Sequence, residues 1–385
     1  MADPLVTRLR GMGTTIFAEM SALALRTESV NLGQGFPDTD GPDEVIETAV
    51  AALREGHNQY PPGPGIPELR HAVAEHQQRF YGLEYDPDAE VLVTTGATEA
   101  IAAALLGLVE PGDEVVALEP YYDSYAAGIA LAGATRVPVT LRPPDWALDV
   151  EALRAAITSR TRLLLLNSPH NPTGAVLSRE EMETVARLAR ERDLIVVTDE
   201  VYEHLVYDGE HIPMASLPGM RERTVSISSA AKTFSVTGWK IGWVCAEAPL
   251  LNAVRTAKQY LTYVSGAPFQ PAVAGALRLH DDYYQGLRDQ LRMQRDLLSS
   301  GLAELGFEVF PSRGTYFVTT DVRPLGFDDG VGFCLSLPER AGVVAVPHSV
   351  FYDNVEAGRH LVRWAFCKRP EVLEEALRRL SALRT

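Results

Sequence analysis

From Val91 onward, uninterrupted apolar runs alternate along the chain with segments of helical periodicity. The runs at 115–118, 163–166 and 194–197 contain no polar residue. Because a strand with one solvent-facing side alternates apolar and polar residues, runs without alternation indicate strands that are covered on both faces. Strands of this kind between helices are typical of a mostly parallel sheet packed between two helix layers. The pattern therefore predicts an α/β fold for this part of the chain.

The N-terminal segment predicts little regular structure. The stretch NLGQGFPD, at 31–38, carries two glycines and a proline, which interrupt helices and strands. An irregular arm is therefore expected over 1–40. Two helices are expected between this arm and Val91, and the first has Asp43 as its cap. Its expected apolar stripe is Val45, Ile46, Ala49, Val50 and Leu53.

The C-terminal part of the chain has a different pattern. Helical segments follow residue 250, and four short apolar segments and a helix from Glu371 close the chain. Strands grouped apart from helices are typical of an α+β domain. We therefore expect an arm that belongs partly to a small domain at 1–40, a large domain at 41–280 and a small domain at 281–385.

Charge and cysteine content narrow the classes of function. The 35 basic and 51 acidic residues give a net charge of −16, which disfavours binding to nucleic acid and to anionic membranes. No apolar run is long enough to span a bilayer, and no apolar h-region follows the first basic residues. The isolated Cys245, Cys334 and Cys367 show no metal-ligand spacing. These features predict a soluble cytoplasmic protein without a metal site.

A glycine opens the helix that follows the strand at 91–95. The residues Gly96, Ala97 and Thr98 would present free backbone N–H groups at the positive end of the helix dipole, which is a favourable place for a phosphate. A tight strand-to-helix turn is the commoner explanation of such a glycine.

Three further strands are followed by side chains with distinct chemistry. Tyr122 could lie against a flat ring, Asn171 offers a donor and an acceptor from a proline-rich loop, and Asp199 ends a fully apolar strand. A carboxylate in that position needs a cationic or N–H partner. Tyr202 follows three residues later. Each residue also has an ordinary structural explanation, namely packing, an Asn-Pro turn or an internal ion pair.

Lys232 lies in an otherwise uncharged stretch, 226–239, which we expect to be a loop after the strand TVSISS. Because a desolvated lysine loses its proton readily, such a residue is a candidate amine nucleophile. Ser229 and Lys240 are candidate phosphate partners near the same strand end.

These candidates are expected at one edge of the sheet, because ligands of open parallel sheets bind at the carboxyl ends of the strands. A phosphate site, a stacking aromatic ring, a buried acid and an amine together fit a phosphorylated pyridine aldehyde. The phosphate would lie at the helix start, the ring nitrogen against Asp199, and the aldehyde would form a Schiff base with Lys232.

The motifs that carry these residues extend over nearly the whole chain: NLGQGFPD, NQYPPGPG, TTGATEA, EPYYDSY, NSPHNPTG, TDEVYEHL, SSAAKTFSVTGWKIGW and LVRWAFCK. Together they resemble the fold-type I, pyridoxal-phosphate-dependent aminotransferases of class I/II. The similarity is strongest to the branch of kynurenine/glutamine-type and N-succinyldiaminopimelate aminotransferases. The resemblance implies a seven-stranded, mostly parallel sheet in the large domain and a small domain formed by both chain ends.

The resemblance also implies roles for individual residues. Lys232 would bind the cofactor covalently and carry the proton, and Asp199 would hold the pyridine nitrogen. The other implied cofactor contacts are Tyr202 and Asn171 at the ring oxygen, Tyr122 on the ring face, Gly96, Ala97, Thr98, Ser229 and Lys240 at the phosphate, and Tyr60 from a neighbouring subunit. The implied contacts of the substrate carboxylate are Gly35, Asn171 and Arg363. A homodimer with shared sites would follow from the position of Tyr60.

Substrate and reaction type stay open within this resemblance. Many members have arginine in place of Lys240, and the small residues at 264–266 argue weakly against a dedicated aromatic pocket. We expect transfer from an amino acid, best N-succinyl-LL-2,6-diaminopimelate or a kynurenine, methionine or glutamine type of donor, to a 2-oxo acid such as 2-oxoglutarate. The alternatives are a β-eliminating cysteine-conjugate or cystathionine lyase and a non-catalytic cofactor-binding sensor.

Overall fold

The computed structural model of the protein describes residues 4–10, 12–13 and 15–384. Residues 1–3, 11 and 14 of the expected arm and residue 385 of the expected small domain lie outside this part. The strands are β1 Val30–Asn31, β2 Val91–Thr95, β3 Glu114–Glu119, β4 Thr135–Thr140, β5 Thr161–Asn167, β6 Ile195–Asp199, β7 Thr224–Ser229, β8 Ile241–Cys245, β9 Glu308–Val309, β10 Phe317–Asp321, β11 Val343–Val344, β12 Val346–Pro347 and β13 Leu361–Ala365.

The α-helices lie between and around these strands. They are α1 Ile16–Thr27, α2 Asp43–Arg54, α3 Pro67–Tyr81, α4 Gly96–Leu108, α5 Asp123–Leu131, α6 Val150–Ala156, α7 Arg179–Glu191, α8 Ala230–Thr233, α9 Ala248–Lys258, α10 Phe269–Leu277, α11 Asp281–Glu304, α12 Gly330–Ala341 and α13 Pro370–Leu380.

Seven strands form the central sheet, in the order β2-β8-β7-β6-β5-β3-β4. Only β8 runs antiparallel to its neighbours, so the prediction of a mostly parallel seven-stranded sheet is confirmed. The edge strand β4 was not predicted from the sequence. Its residues are mostly half-buried and include Pro138, so it lacks the uninterrupted apolar run of a central strand.

Helices cover both faces of this sheet. In β5, Leu163 and Leu165 pack with α4, whereas Leu164 and Leu166 pack with α7 on the opposite face. Successive side chains of a strand point to opposite faces, so a strand that is covered on both sides needs apolar residues at every position. This packing explains the apolar runs that predicted the fold.

A smaller α+β unit is formed by both chain ends. Its antiparallel sheet has the order β12-β13-β10-β9, and β1 pairs in parallel with β11 near the other end of the chain. These pairings confirm the prediction that the two chain ends build one unit. The division at residues 1–40, 41–280 and 281–385 stays a prediction, although α11 begins at Asp281.

The prediction of an irregular arm over 1–40 was wrong in one part, because α1 occupies residues 16–27. The side chain of Thr15 caps this helix by accepting a hydrogen bond from the backbone of Ala18. Met20 and Ala24 are buried in the core of the smaller unit. Ile16, Phe17 and Leu23 pack against the same core, so the helical spacing of these apolar residues was present in the sequence.

Details of α2 also differ from expectation. The cap position is Pro42, and Asp43 lies in the first turn without a side-chain capping bond. The buried face follows Val45, Ala49 and Ala52, so Leu53 falls one position away from it and is 45% exposed. Residues three and four positions apart lie on the same face of a helix. Ala52 and Leu53 follow Ala49 by three and four positions, so the sequence alone did not decide which of them is buried.

Two further observations concern membrane-spanning helices and the cysteine residues. Within the described residues, no helix combines the length and apolar character that crossing a membrane would require. Cys245, Cys334 and Cys367 are free thiols and are fully buried, rather than half-buried as the sequence suggested.

Candidate active site

The carboxyl ends of β2, β5, β6 and β7 meet at one edge of the sheet, beside a cavity of about 1100 Å³. Register places Asn167 beside Asp199, and Ser229 beside Gly242 of β8. Of the thirteen residues that the sequence predicted for the site, twelve line this cavity: Gly35, Gly96, Ala97, Thr98, Tyr122, Asn171, Asp199, Tyr202, Ser229, Lys232, Lys240 and Arg363.

Lys232 lies in α8, which follows β7 directly, so the expected loop is in fact a strand and a short helix. Its Nζ atom is 3.5 Å from the carbonyl oxygen of Gly35 and under 6 Å from the ring centroids of Tyr202 and Tyr316. Burial lowers the pKa of Lys232 to about 8, although nearby acidic groups, among them Asp199, oppose the shift. The side chain is therefore an amine that loses its proton close to neutral pH.

Asp199 ends β6 with its carboxylate inside the protein. The hydroxyl of Tyr125 donates to Oδ2 at 2.6 Å, and the backbone N–H of Val201 donates to Oδ1 at 3.3 Å. Burial raises the pKa of Asp199 to about 6 despite these two hydrogen bonds. Two neutral donors do not replace the water that a carboxylate loses on burial, so this site favours a cationic N–H partner.

Arg363 is a cation at the centre of β13, with only 1% of its surface exposed. Its guanidinium donates to Oδ1 of Asn171 at 2.9 Å and to the carbonyl of Gly33 at 2.8 Å. Burial lowers its pKa to about 10, so it remains charged at neutral pH. It forms no ion pair with any described residue, and its Nε atom has no hydrogen-bond partner there. Such a group requires an anion.

Aromatic rings surround this guanidinium. The ring centroids of Phe17, Phe317 and Phe351 lie 5.0, 4.0 and 5.2 Å from its central carbon. These rings exclude water and hold the planar fork in one orientation, which suits two parallel hydrogen bonds to a carboxylate. Arg363 and Lys232 face the same cavity, so a molecule bound through its carboxylate is presented to the amine.

The start of α4 forms an anion site. Gly96 has a φ of +70°, and a Cβ atom there would lie 3.2 Å from Nζ of Lys240. Lys240 Nζ is 3.5 Å from the hydroxyl of Thr98. The hydroxyl of Ser229 faces the same space and makes no capping bond to α8. Free N–H groups at the helix start, two hydroxyls and one ammonium group fit a phosphate.

The sequence missed several residues of the site. Tyr125 lies one helical turn after Tyr122, so the motif EPYYDSY contained the signal. Asn167 donates to the Asp199 carbonyl at 2.8 Å and accepts from the Asn171 backbone at 2.7 Å, which joins two site loops. Tyr316 donates its hydroxyl proton to the carbonyl of Gly35.

The tight packing at Gly35 explains why glycine is found there. A Cβ atom on Gly35 would lie only 2.4 Å from the ring of Phe317. Neither Tyr316 nor Phe317 was singled out, because only the pairing of β10 with β13 places them beside Arg363.

Two residues that the sequence singled out do not line this cavity. Tyr60, which was predicted to serve a neighbouring subunit, is 81% exposed and in edge-on contact with Tyr263. Val264, from the stretch of small residues at 264–266, also lies outside the residues that line the cavity. Both belong to surface segments of a single chain, and a cavity shared between subunits would not be complete in one chain.

Comparison with known proteins agrees with this arrangement. The family model "Aminotransferase class I and II" matches residues 27–380. The chain is 57% identical over 389 residues to "Probable N-succinyldiaminopimelate aminotransferase DapC" of Mycobacterium tuberculosis, with 98% of each chain covered. It is 40% identical to "Methionine aminotransferase" of Escherichia coli, with 99% of each covered. A solved structure of N-succinyldiaminopimelate aminotransferase from Mycobacterium tuberculosis superimposes with a TM-score of 0.97 at 58% identity, covering 98% of this chain and 100% of that one.

The fold and the site define a fold-type I enzyme that handles small carboxylated molecules. The protein belongs to the aminotransferase class I and II family, and it is a pyridoxal-phosphate-dependent aminotransferase. The predictions of enzyme class and cofactor are confirmed. The residues present also fit the cofactor, since a buried acid, a low-pKa lysine and a phosphate site without a Cβ atom line one cavity.

The depressed pKa of Lys232 predicts how cofactor capture depends on pH. With a pKa of about 8, about one-tenth of the Lys232 side chains are unprotonated at pH 7, whereas an ordinary lysine would have roughly one in a few thousand. The rate at which the cofactor-free protein binds pyridoxal phosphate covalently should therefore rise with pH and level off above about 8. Stopped-flow absorbance measures this rate. A midpoint above pH 10 would contradict the assigned environment of Lys232.

Proposed function

We propose that this aminotransferase takes its amino group from N-succinyl-LL-2,6-diaminopimelate and passes it to a 2-oxo acid such as 2-oxoglutarate. The observation that carries this proposal is the 57% identity to the Mycobacterium tuberculosis relative across 98% of both chains. The lower identity of 40% to the methionine aminotransferase makes methionine the second candidate donor.

Charged side chains in the cavity support a donor with a charged far end. Arg10, Glu19, Arg136 and Asp353 line the same cavity as Arg363. Arg136 and Asp353 form a two-bonded ion pair. A long substrate with a distal carboxylate and polar amide gains partners on such a wall, whereas an aromatic side chain would leave these charges without new contacts.

The cofactor would be held by residues already described. Asp199 would accept the N–H of the pyridine ring, Tyr122 would lie on the ring face, and Tyr202 and Asn171 would bind the ring oxygen. The phosphate would lie against Gly96, Ala97, Thr98, Ser229 and Lys240. The support for these roles is the shared cavity, the raised pKa of Asp199 and the anion site at the start of α4.

Bound pyridoxal phosphate supplies an electron sink for the pair released when a Cα–H bond of the substrate breaks. Lys232 would take the proton from Cα through its Nζ atom and return it after the electrons have shifted. A pKa near 8 suits both directions of transfer at neutral pH. Asp199, fixed by the hydroxyl of Tyr125, would keep the ring nitrogen protonated and thereby strengthen the sink.

Arg363 would fix the position at which this proton is removed. Its guanidinium would hold the α-carboxylate of donor and acceptor in turn, with Asn171 and the Gly35 backbone beside it. One carboxylate site for both substrates is consistent with two half-reactions in alternation. The aromatic rings around the guanidinium would exclude water from the bound carboxylate.

A donor panel tests the proposed substrate. With 2-oxoglutarate as acceptor, we expect the highest kcat/KM for N-succinyl-LL-2,6-diaminopimelate, then methionine, then kynurenine, measured by half-reaction absorbance. Arg363→Lys should raise KM for every donor about tenfold to hundredfold, because it loses hydrogen bonds to a charged group worth about 1.5–3 kcal/mol. Preference for methionine or kynurenine would contradict the substrate proposal, and release of pyruvate and ammonia without acceptor would favour the lyase alternative.

We further propose a homodimer whose sites include Tyr60 of the neighbouring subunit. An exposed apolar patch surrounds this residue and contains Tyr260, Leu261 and Tyr263, with Tyr260 83% exposed. Exposed aromatic patches of this kind are typical of protein interfaces. The three buried free thiols support the further proposal of a cytoplasmic location.

Subunit mixing tests the shared site. Lys232→Ala and Tyr60→Ala should each be impaired alone at limiting pyridoxal phosphate, the first in chemistry and the second in cofactor affinity. When the two variants are refolded together, the mixture should regain activity. The reason is that a hybrid dimer contains one site with Lys232 from one subunit and Tyr60 from the other. The control is the same mixture without refolding. If co-refolding restores nothing, Tyr60 does not serve the partner's site.

A further inference from the structure

A second group of chemically distinctive side chains lies apart from the cavity, near the seven-stranded sheet. His76 comes from α3, whereas Glu203 and His204 come from the turn that follows β6. One nitrogen from each imidazole and one oxygen of Glu203 all lie within 4.8 Å of one another. None of the three lines the active-site cavity, and the proposed reaction uses none of them.

The two imidazoles point the same ring nitrogens at each other. His76 Nε2 and His204 Nε2 are 2.7 Å apart, and the rings are nearly perpendicular. Burial lowers the pKa of both imidazoles, so both are neutral at physiological pH. Neutral imidazoles are the form of histidine that binds metal ions.

Glu203 brings a carboxylate to the same place with one oxygen left unused. Ser228 donates to Oε1 at 2.5 Å. Oε2 is buried and makes no hydrogen bond of good geometry in the described part of the chain, although the hydroxyl of Tyr81 lies close to the carboxylate. The side chain of Glu203 is 5% exposed. A buried carboxylate with an unused oxygen is costly unless a cation or donor reaches it.

Within the described residues, no protein cation forms an ion pair with Glu203. Its neighbour Glu200 has its own partners, His211 at 3.0 Å and Thr198 at 2.6 Å. Among the ion pairs of the described residues, none includes Glu203. Two carboxylates three residues apart are thus buried, and only Glu200 is hydrogen-bonded to a basic side chain.

The surroundings are mostly aromatic, and of the three side chains only His204 is partly exposed. The rings of Phe80, Tyr81, Trp243 and Tyr284 pack around the two histidines. Two imidazole nitrogens and one carboxylate oxygen form a ligand set that zinc accepts, at about 2.0–2.2 Å from each atom. A slight parting of the two nitrogens would give an ion that distance from both.

We propose that His76, Glu203 and His204 bind one divalent transition-metal ion of the zinc class. The ion would connect α3 to the turn that carries Asp199 and Tyr202 into the active site. Its role would be to hold that turn in place, since no ligand touches the cavity. The oxygen ligand and two nitrogen ligands favour zinc over magnesium or calcium, which prefer oxygen alone.

Metal content tests this site directly. Tag-free holoenzyme, stripped with a chelator and dialysed against zinc(II), should retain one equivalent of zinc per chain by mass spectrometry of the elements. Cobalt(II) in its place should give the visible absorption of a four-coordinate site, with the three side chains and one water molecule as ligands. Zinc should also raise the midpoint of thermal unfolding by several degrees.

Matched variants separate this site from other metal contacts. His76→Gln and His204→Gln should each lose the bound zinc and the thermal shift, while keeping covalently bound pyridoxal phosphate. His71→Gln is the control, because His71 is exposed on the same helix. It should bind zinc like the unchanged protein.

The result that would overturn the proposal is equally direct. If the unchanged holoenzyme retains no zinc, or retains as much zinc as His76→Gln and His204→Gln do, the three residues form no metal site. The cluster would then be a hydrogen-bonded histidine pair beside a protonated Glu203. Either outcome leaves the substrate and cofactor assignments untouched, because those experiments use different residues and readouts.

Discussion

The active site depends on keeping three ionisable groups out of water. Lys232, Asp199 and Arg363 face one cavity, and burial shifts the pKa of each toward its neutral form. Removing a charge from water is costly unless another charge or a hydrogen bond replaces the lost solvent. In the proposed reaction, the cofactor and the substrate carboxylate would supply those missing partners. Binding, proton transfer and the choice of ligand therefore follow from the same electrostatic constraint.

The fold meets this constraint by bringing distant segments to one edge. The parallel strands β5, β6 and β7 place Asn167, Asp199 and the segment of Lys232 side by side, although each is more than 30 residues from the next in sequence. The antiparallel pair β10 and β13 of the smaller unit brings Arg363 opposite them. A movement between the two units would change the distance from the carboxylate site to the amine, so both units contribute to one reaction geometry.

The sequence predicted the site residues at the carboxyl edge of the central sheet well. Buried parallel strands appear in the sequence as apolar runs, and each of these runs ends at a polar residue. It could not predict contacts that depend on packing between distant segments. Tyr125 was missed although it follows Tyr122 by one turn, and Tyr316 and Phe317 depend on the pairing of β10 with β13. The edge strand β4 was missed because a half-buried strand carries a weak pattern. The helix α1 was missed although its apolar residues have the spacing of one helix face. His76 and His204 are 128 positions apart, so no local sequence pattern predicts that they lie together.

The central claim is that the amine of Lys232 is the covalent anchor of pyridoxal phosphate. Reduction of the loaded protein with borohydride, followed by proteolysis and peptide mass mapping, tests it most directly. The account predicts a single pyridoxyl label on the peptide that contains Lys232, and loss of that label in Lys232→Ala. A label on any other side chain, or no label at all, would contradict the account.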